Sequence, residues 1–133
     1  MKETENLIFV DAHLDLAYNA TTLGRDLTQP ISDLRDSERQ HLPRNPNAGI
    51  ATVSLPSLLK GRVAVVGGSI YVTPRSKSHP QPVPTYETPD EAYALAVEQL
   101  DYYRRLNEER EDVTLLHDDD DLNSTLETWE TET

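Results

Sequence analysis

Hydrophobic positions fall in short runs separated by polar stretches. Leu7–Ala12 is apolar on both faces until Asp11, the pattern of a parallel strand covered on both sides. Val63–Val72, VAVVGGSIYV, predicts a second strand, and its Gly67-Gly68 pair suggests a bulge or a close backbone approach. Val113–Leu116 is a short third candidate. Helical signals lie between these runs. Ile31–Arg39 follows Pro30 and reads as a short helix. Leu55–Lys60 reads as another, with Ser54 as N-cap and Gly61 as its stop. The clearest signal is Thr88-Pro89-Asp90-Glu91, a capping box with proline in the first turn. From there Ala92, Leu95, Ala96, Leu100, Tyr103 and Leu106 recur on one face, which predicts a helix to about Arg110. Leu122–Trp129 is a weaker helix, Tyr18–Gln29 is less regular, and His41–Gly49 reads as loop. Residues 74–86 form an exposed proline-rich loop, with four prolines from Pro74 to Pro84.

The resulting order is strand, helical matter, strand, helix, strand, helix. Such β/α alternation implies parallel strands joined by helical crossovers, an α/β fold. Three strands are too few to close a barrel, which typically takes about 250 residues. The 133-residue chain is therefore a small open α/β domain or a part of something larger.

Composition narrows the function classes. Charged residues make up 27% and the net charge is -12, so no basic patch for nucleic acid or an anionic membrane surface is expected. The absence of cysteine excludes disulfides and thiolate metal sites, and makes a cytoplasmic location the easier reading. The polar, acidic start Met1–Asn6 is not a signal peptide. No apolar run approaches the roughly 20 residues needed to span a bilayer.

The candidate chemistry lies in FVDAHLDLAYN, Phe9–Asn19, where an apolar run turns acidic. Residues two apart on a strand share a face, so His13 and Asp15 lie side by side, with Asp11 if the strand has not yet broken. An imidazole and a carboxylate so placed can give one divalent metal a nitrogen and an oxygen donor. The plainer reading is a strand end whose His and Asp pair with each other or with solvent.

Beyond this spacing, IFVDAHLDLAYNA resembles the first strand of the membrane (renal) dipeptidase family of metal-dependent amidohydrolases. LGRDLTQP, ATVSLPSLLKGRVAVVGGSIYV and YETPDEAYALAVEQLDYYRRL resemble the next segments of its bacterial members, in order. The similarity runs from about Leu7 to about Trp129. It implies a partial β/α (TIM-type) barrel: the first two to three βα units with parallel strands, with residues 1–133 as the N-terminal portion of a dipeptidase domain. It also implies two zinc ions that activate a bridging hydroxide against the peptide carbonyl of a dipeptide. His13 and Asp15 match the family's first-strand metal ligands. Asp11 matches the acidic residue before the motif and takes no metal role.

The family's bridging Glu, two later His and last Asp have no match in the chain. Glu127, Glu130 and Glu132 lie in or after the final helix, and His41, His79 and His117 fall outside the family's ligand contexts. Two ligands hold zinc poorly, since even catalytic sites normally keep three. No catalytic residue is therefore assigned in this fragment, and it is expected to be inactive alone. The alternative is a non-catalytic remnant or assembly fragment. Its expected partners are a complementing C-terminal fragment or further copies of the chain, and open strands make the isolated chain marginal or oligomeric. His117 with Asp118–Asp121 reads as an acidic turn with an Asp N-cap, not a calcium loop. Tyr103 reads as core, with Arg104 and Arg105 solvated or paired to Asp101 and Glu108. Ser54 and Ser57 lack a His partner, so serine-hydrolase chemistry has no support.

Overall fold

The computed structural model describes residues 7–41, 50–76 and 83–131. The order is β1 (Phe9–Leu14), α1 (Leu16–Thr21), α2 (Ile31–His41), α3 (Leu55–Lys60), β2 (Val63–Gly68), β3 (Thr73–Pro74), β4 (Thr85–Tyr86), α4 (Pro89–Glu109) and α5 (Asp119–Thr131). It is a mixed α/β fold with two small parallel two-stranded sheets, β1–β2 and β3–β4. Of the expected loop His41–Gly49, His41 instead ends α2 and residues 42–49 lie outside the described residues, as do the middle of the 74–86 loop and His79. The ends of the 74–86 loop are more ordered than expected, because Thr73 pairs with Thr85 and Pro74 with Tyr86.

The parallel β1–β2 pairing follows from the two apolar runs and the helical matter between them. Its register shifts twice. Asp11 pairs with Val66 and Leu14 with Gly68, so the stretch containing Ala12 and His13 carries one extra residue. Gly67 lies opposite this irregularity. A Cβ there would sit 2.5 Å from the Ala12 carbonyl oxygen, so only glycine lets the strands approach this closely. At Gly68 a Cβ would meet the Tyr103 ring at 2.8 Å, and glycine makes room for α4 to pack.

The core gathers Leu16, Leu27, Leu34, Ala51, Leu55 and Leu106, with Leu14, Val66 and Tyr103 packed against it. The helices thus cover one side of the sheet. Glu38 of α2 ties this side together: it accepts from Arg25 Nε at 2.5 Å and from the Ala51 amide at 2.6 Å. α4 begins as expected, with both halves of the Thr88–Glu91 capping box formed. Ser54 occupies the N-cap position of α3, but its buried hydroxyl bonds Ser57 Oγ at 3.0 Å instead of the backbone.

Three expectations need correction. Val113–Leu116 is not a strand. The Leu115 amide goes to the Asn107 side chain at 2.8 Å, and the His117 amide just beyond the segment goes to Asp121 at 2.9 Å, so side chains of the flanking helices take donors that a strand would need. A cavity of about 700 Å³ lies between this segment and β2. Second, β1 is not covered on both sides: Phe9 is 54% and Val10 64% exposed. Third, α1 takes in Tyr18–Thr21, the first part of the stretch read as less regular, because Leu16 and Ala17 are anchored in the core, while residues 22–29 form turns without helix or strand, as expected. No described helix is long and apolar enough to cross a membrane.

Candidate metal centre

β1 delivers Asp11, His13 and Asp15 to the C-terminal edge of the sheet, and β2 delivers Ser69 and Tyr71 just beyond its last residue. The bulge breaks strict alternation, yet His13 and Asp15 still meet, with Nε2 3.4 Å from Oδ1. Their side chains are 72% and 44% exposed, so both remain open to solvent. Asp11 points elsewhere. Its Oδ1 accepts from the His13 amide at 3.0 Å and fixes the backbone of the bulge.

Asp15 stands at the N-cap position of α1 but makes no capping bond. Its Oδ1 accepts from the Ser69 hydroxyl. Asp15 O accepts from Asn19 Nδ2 at 2.7 Å, which pins the backbone beneath the carboxylate. The capping task passes to another element. The Ala17 amide donates to the Tyr103 hydroxyl of α4 at 3.3 Å, and that hydroxyl donates to Ser69 O at 2.8 Å. Burial is the main cause that raises the Tyr103 pKa, which keeps the phenol protonated as this donor.

The wall of the site is aromatic. Tyr18 meets Tyr71 edge-on with ring centroids 5.9 Å apart. Burial, then Tyr71, raises the Tyr18 pKa; Asp15 adds to the rise and Arg25 opposes it. Tyr71 is held from behind by Gln99, 2% exposed. Gln99 Oε1 accepts from the Tyr71 amide at 2.9 Å and Nε2 donates to the Tyr71 carbonyl at 2.7 Å. The side-chain amide thus occupies the place of a neighbouring strand for one residue.

Two donors about 2.0–2.1 Å from a tetrahedral ion lie about 3.3–3.4 Å apart, so the His13–Asp15 spacing fits one edge of such a coordination sphere. The same spacing also suits a plain ion pair when His13 is protonated. Among the described residues, no three His, Cys, Asp or Glu side chains gather to hold a metal ion. The His117–Asp121 contact, 3.3 Å, lies in the α5 turn, where Asp118 Oδ1 accepts from the Asp121 amide as the expected N-cap. The spacing reading overlooked Ser69, Gln99 and the link through Tyr103, which join segments far apart in the chain. The glycine pair was the one local sign that something packs closely there.

No family model, curated protein or solved structure matches the chain.

Proposed function

We propose that the chain is the N-terminal portion of a β/α-barrel dipeptidase of the metal-dependent amidohydrolase type, with His13 and Asp15 as its first-strand zinc ligands. The observation that carries the reading is the 3.4 Å approach of His13 Nε2 and Asp15 Oδ1 at the C-terminal edge of a parallel strand pair. In β/α barrels that edge is where active sites are built. The order of segments resembling the dipeptidase family supports it.

Zinc held there would supply Lewis acidity toward water and a peptide carbonyl. The chain's own contribution is to hold the ion through His13 and Asp15 and to flank it with Tyr18 and Tyr71. Two donors do not complete a catalytic zinc site, so dipeptide hydrolysis requires further donors from a complementing segment or a second copy. A cytoplasmic setting, where the thiol-free chain needs no oxidation, belongs to the same reading.

Calorimetric zinc titration tests it. A weak site is expected in the 133-residue chain, abolished in both His13→Ala and Asp15→Ala. Zinc binding that survives both substitutions, or none in the parent chain, overturns the reading. A second reading, a non-catalytic assembly fragment, is favoured by the exposed Phe9 and Val10 on β1. It predicts association without any dependence on zinc.

A further inference from the structure

We propose that Ser69 is a positioning residue for the metal site: its hydroxyl holds the Asp15 carboxylate in the orientation that faces His13. This inference rests on the metal-site reading above and extends it to the second strand.

The argument starts from where Asp15 stands. An aspartate at an N-cap normally turns its carboxylate onto the second or third amide of its own helix. Here the second amide, that of Ala17, is taken by the Tyr103 hydroxyl. The Asp15 carboxylate makes no capping bond and turns to Ser69 instead. The hydroxyl proton has two acceptors in reach, Asp15 Oδ1 and the Leu14 carbonyl at 3.3 Å. The Ser69 amide already serves that carbonyl at 3.0 Å. The proton therefore goes to the carboxylate, where the bond is charge-assisted and stronger.

Ser69 is itself fixed on both sides. Its amide bonds the end of β1, and its carbonyl accepts from Tyr103. The hydroxyl thus sits on a rigid frame. Each carboxylate oxygen has two lone pairs, so a bond from Ser69 leaves Asp15 free to accept a cation on the His13 side. Partners that orient a metal-binding carboxylate typically change metal affinity by roughly 10–100-fold.

The test is a set of single substitutions on the full chain, read as zinc affinity and as the visible spectrum of bound cobalt. Ser69→Val, which has the shape of threonine but lacks the hydroxyl, is expected to weaken zinc binding by roughly 10–100-fold and to shift the cobalt spectrum. Ser69→Thr keeps the hydroxyl and is expected to bind like the parent. A Ser69→Val chain that binds zinc like the parent, while His13→Ala and Asp15→Ala do not, overturns the role of Ser69 and leaves the site standing. Equal losses in Ser69→Thr and Ser69→Val would assign Ser69 to packing and also overturn it. If the parent binds neither metal, the site and the positioning role fall together.

Discussion

At the scale of single residues, the site depends on backbones that approach closely and on side chains that release one another from other tasks. Gly67 lets the Ala12 carbonyl come within the space a Cβ would fill, and Gly68 does the same for the Tyr103 ring. Tyr103 serves the start of α1, and so the Asp15 carboxylate is available at the sheet edge. Gly67→Ala is expected to push β1 and β2 apart and to cost about 1–3 kcal/mol, as overpacking against backbone does. The shift of a urea midpoint measures it, and an unchanged midpoint would show that the strands can part freely. His13 and Asp15 were legible because their two-residue spacing is local information. Ser69 was not, because its partner lies 54 residues away. Nor was Gln99, which meets Tyr71 across 28 residues. A polar side chain in an amphipathic helix reads as solvated until the fold brings it a buried partner.

At the scale of elements, local chemistry decides what the sequence reveals. The start of α4 was fully legible, since Thr88 and Glu91 need only each other's backbone. The Glu87 and Thr88 amides donate to Glu91 Oε2 at 2.7 and 3.3 Å and hold the Glu91 pKa below its ordinary value. A depressed carboxylate pKa stabilises the fold above the unfolded value, near 4.3 for glutamate, and this is lost as pH falls through the folded value. Glu91→Gln is therefore expected to lower the urea midpoint at pH 7 and to match the parent at low pH, below the folded pKa. A gap that persists at low pH would contradict this sign. Strands behave differently from helix starts. Val113–Leu116 has strand composition, but β structure needs a partner backbone, and Asn107 holds the Leu115 amide while Asp121 holds that of His117 just beyond the segment.

At the scale of the whole molecule, the helices cover one side of a two-stranded parallel sheet while β1 stays open at Phe9 and Val10. The α/β class, the parallel pairing and the presence of open strands were legible from the alternation of a few runs, whereas the place of the opening, Phe9 and Val10 of β1, was not, because cover comes from neighbours that no single run encodes. Parallel strands are normally buried on both faces. The chain at low concentration is therefore expected to melt broadly and its sedimenting mass to grow with concentration; a sharp, cooperative melt of a dilute monomer would contradict this. The central claim is narrower, that His13 and Asp15 offer one cation a nitrogen and an oxygen at the sheet edge. The measurement that tests it most directly is the imidazole NMR spectrum of the full chain during zinc titration. The account predicts that the His13 ring resonances move and saturate, that the His117 ring stays unmoved, and that Asp15→Ala abolishes the His13 response. A His13 ring that does not respond to zinc, or responds equally without the Asp15 carboxylate, would contradict it.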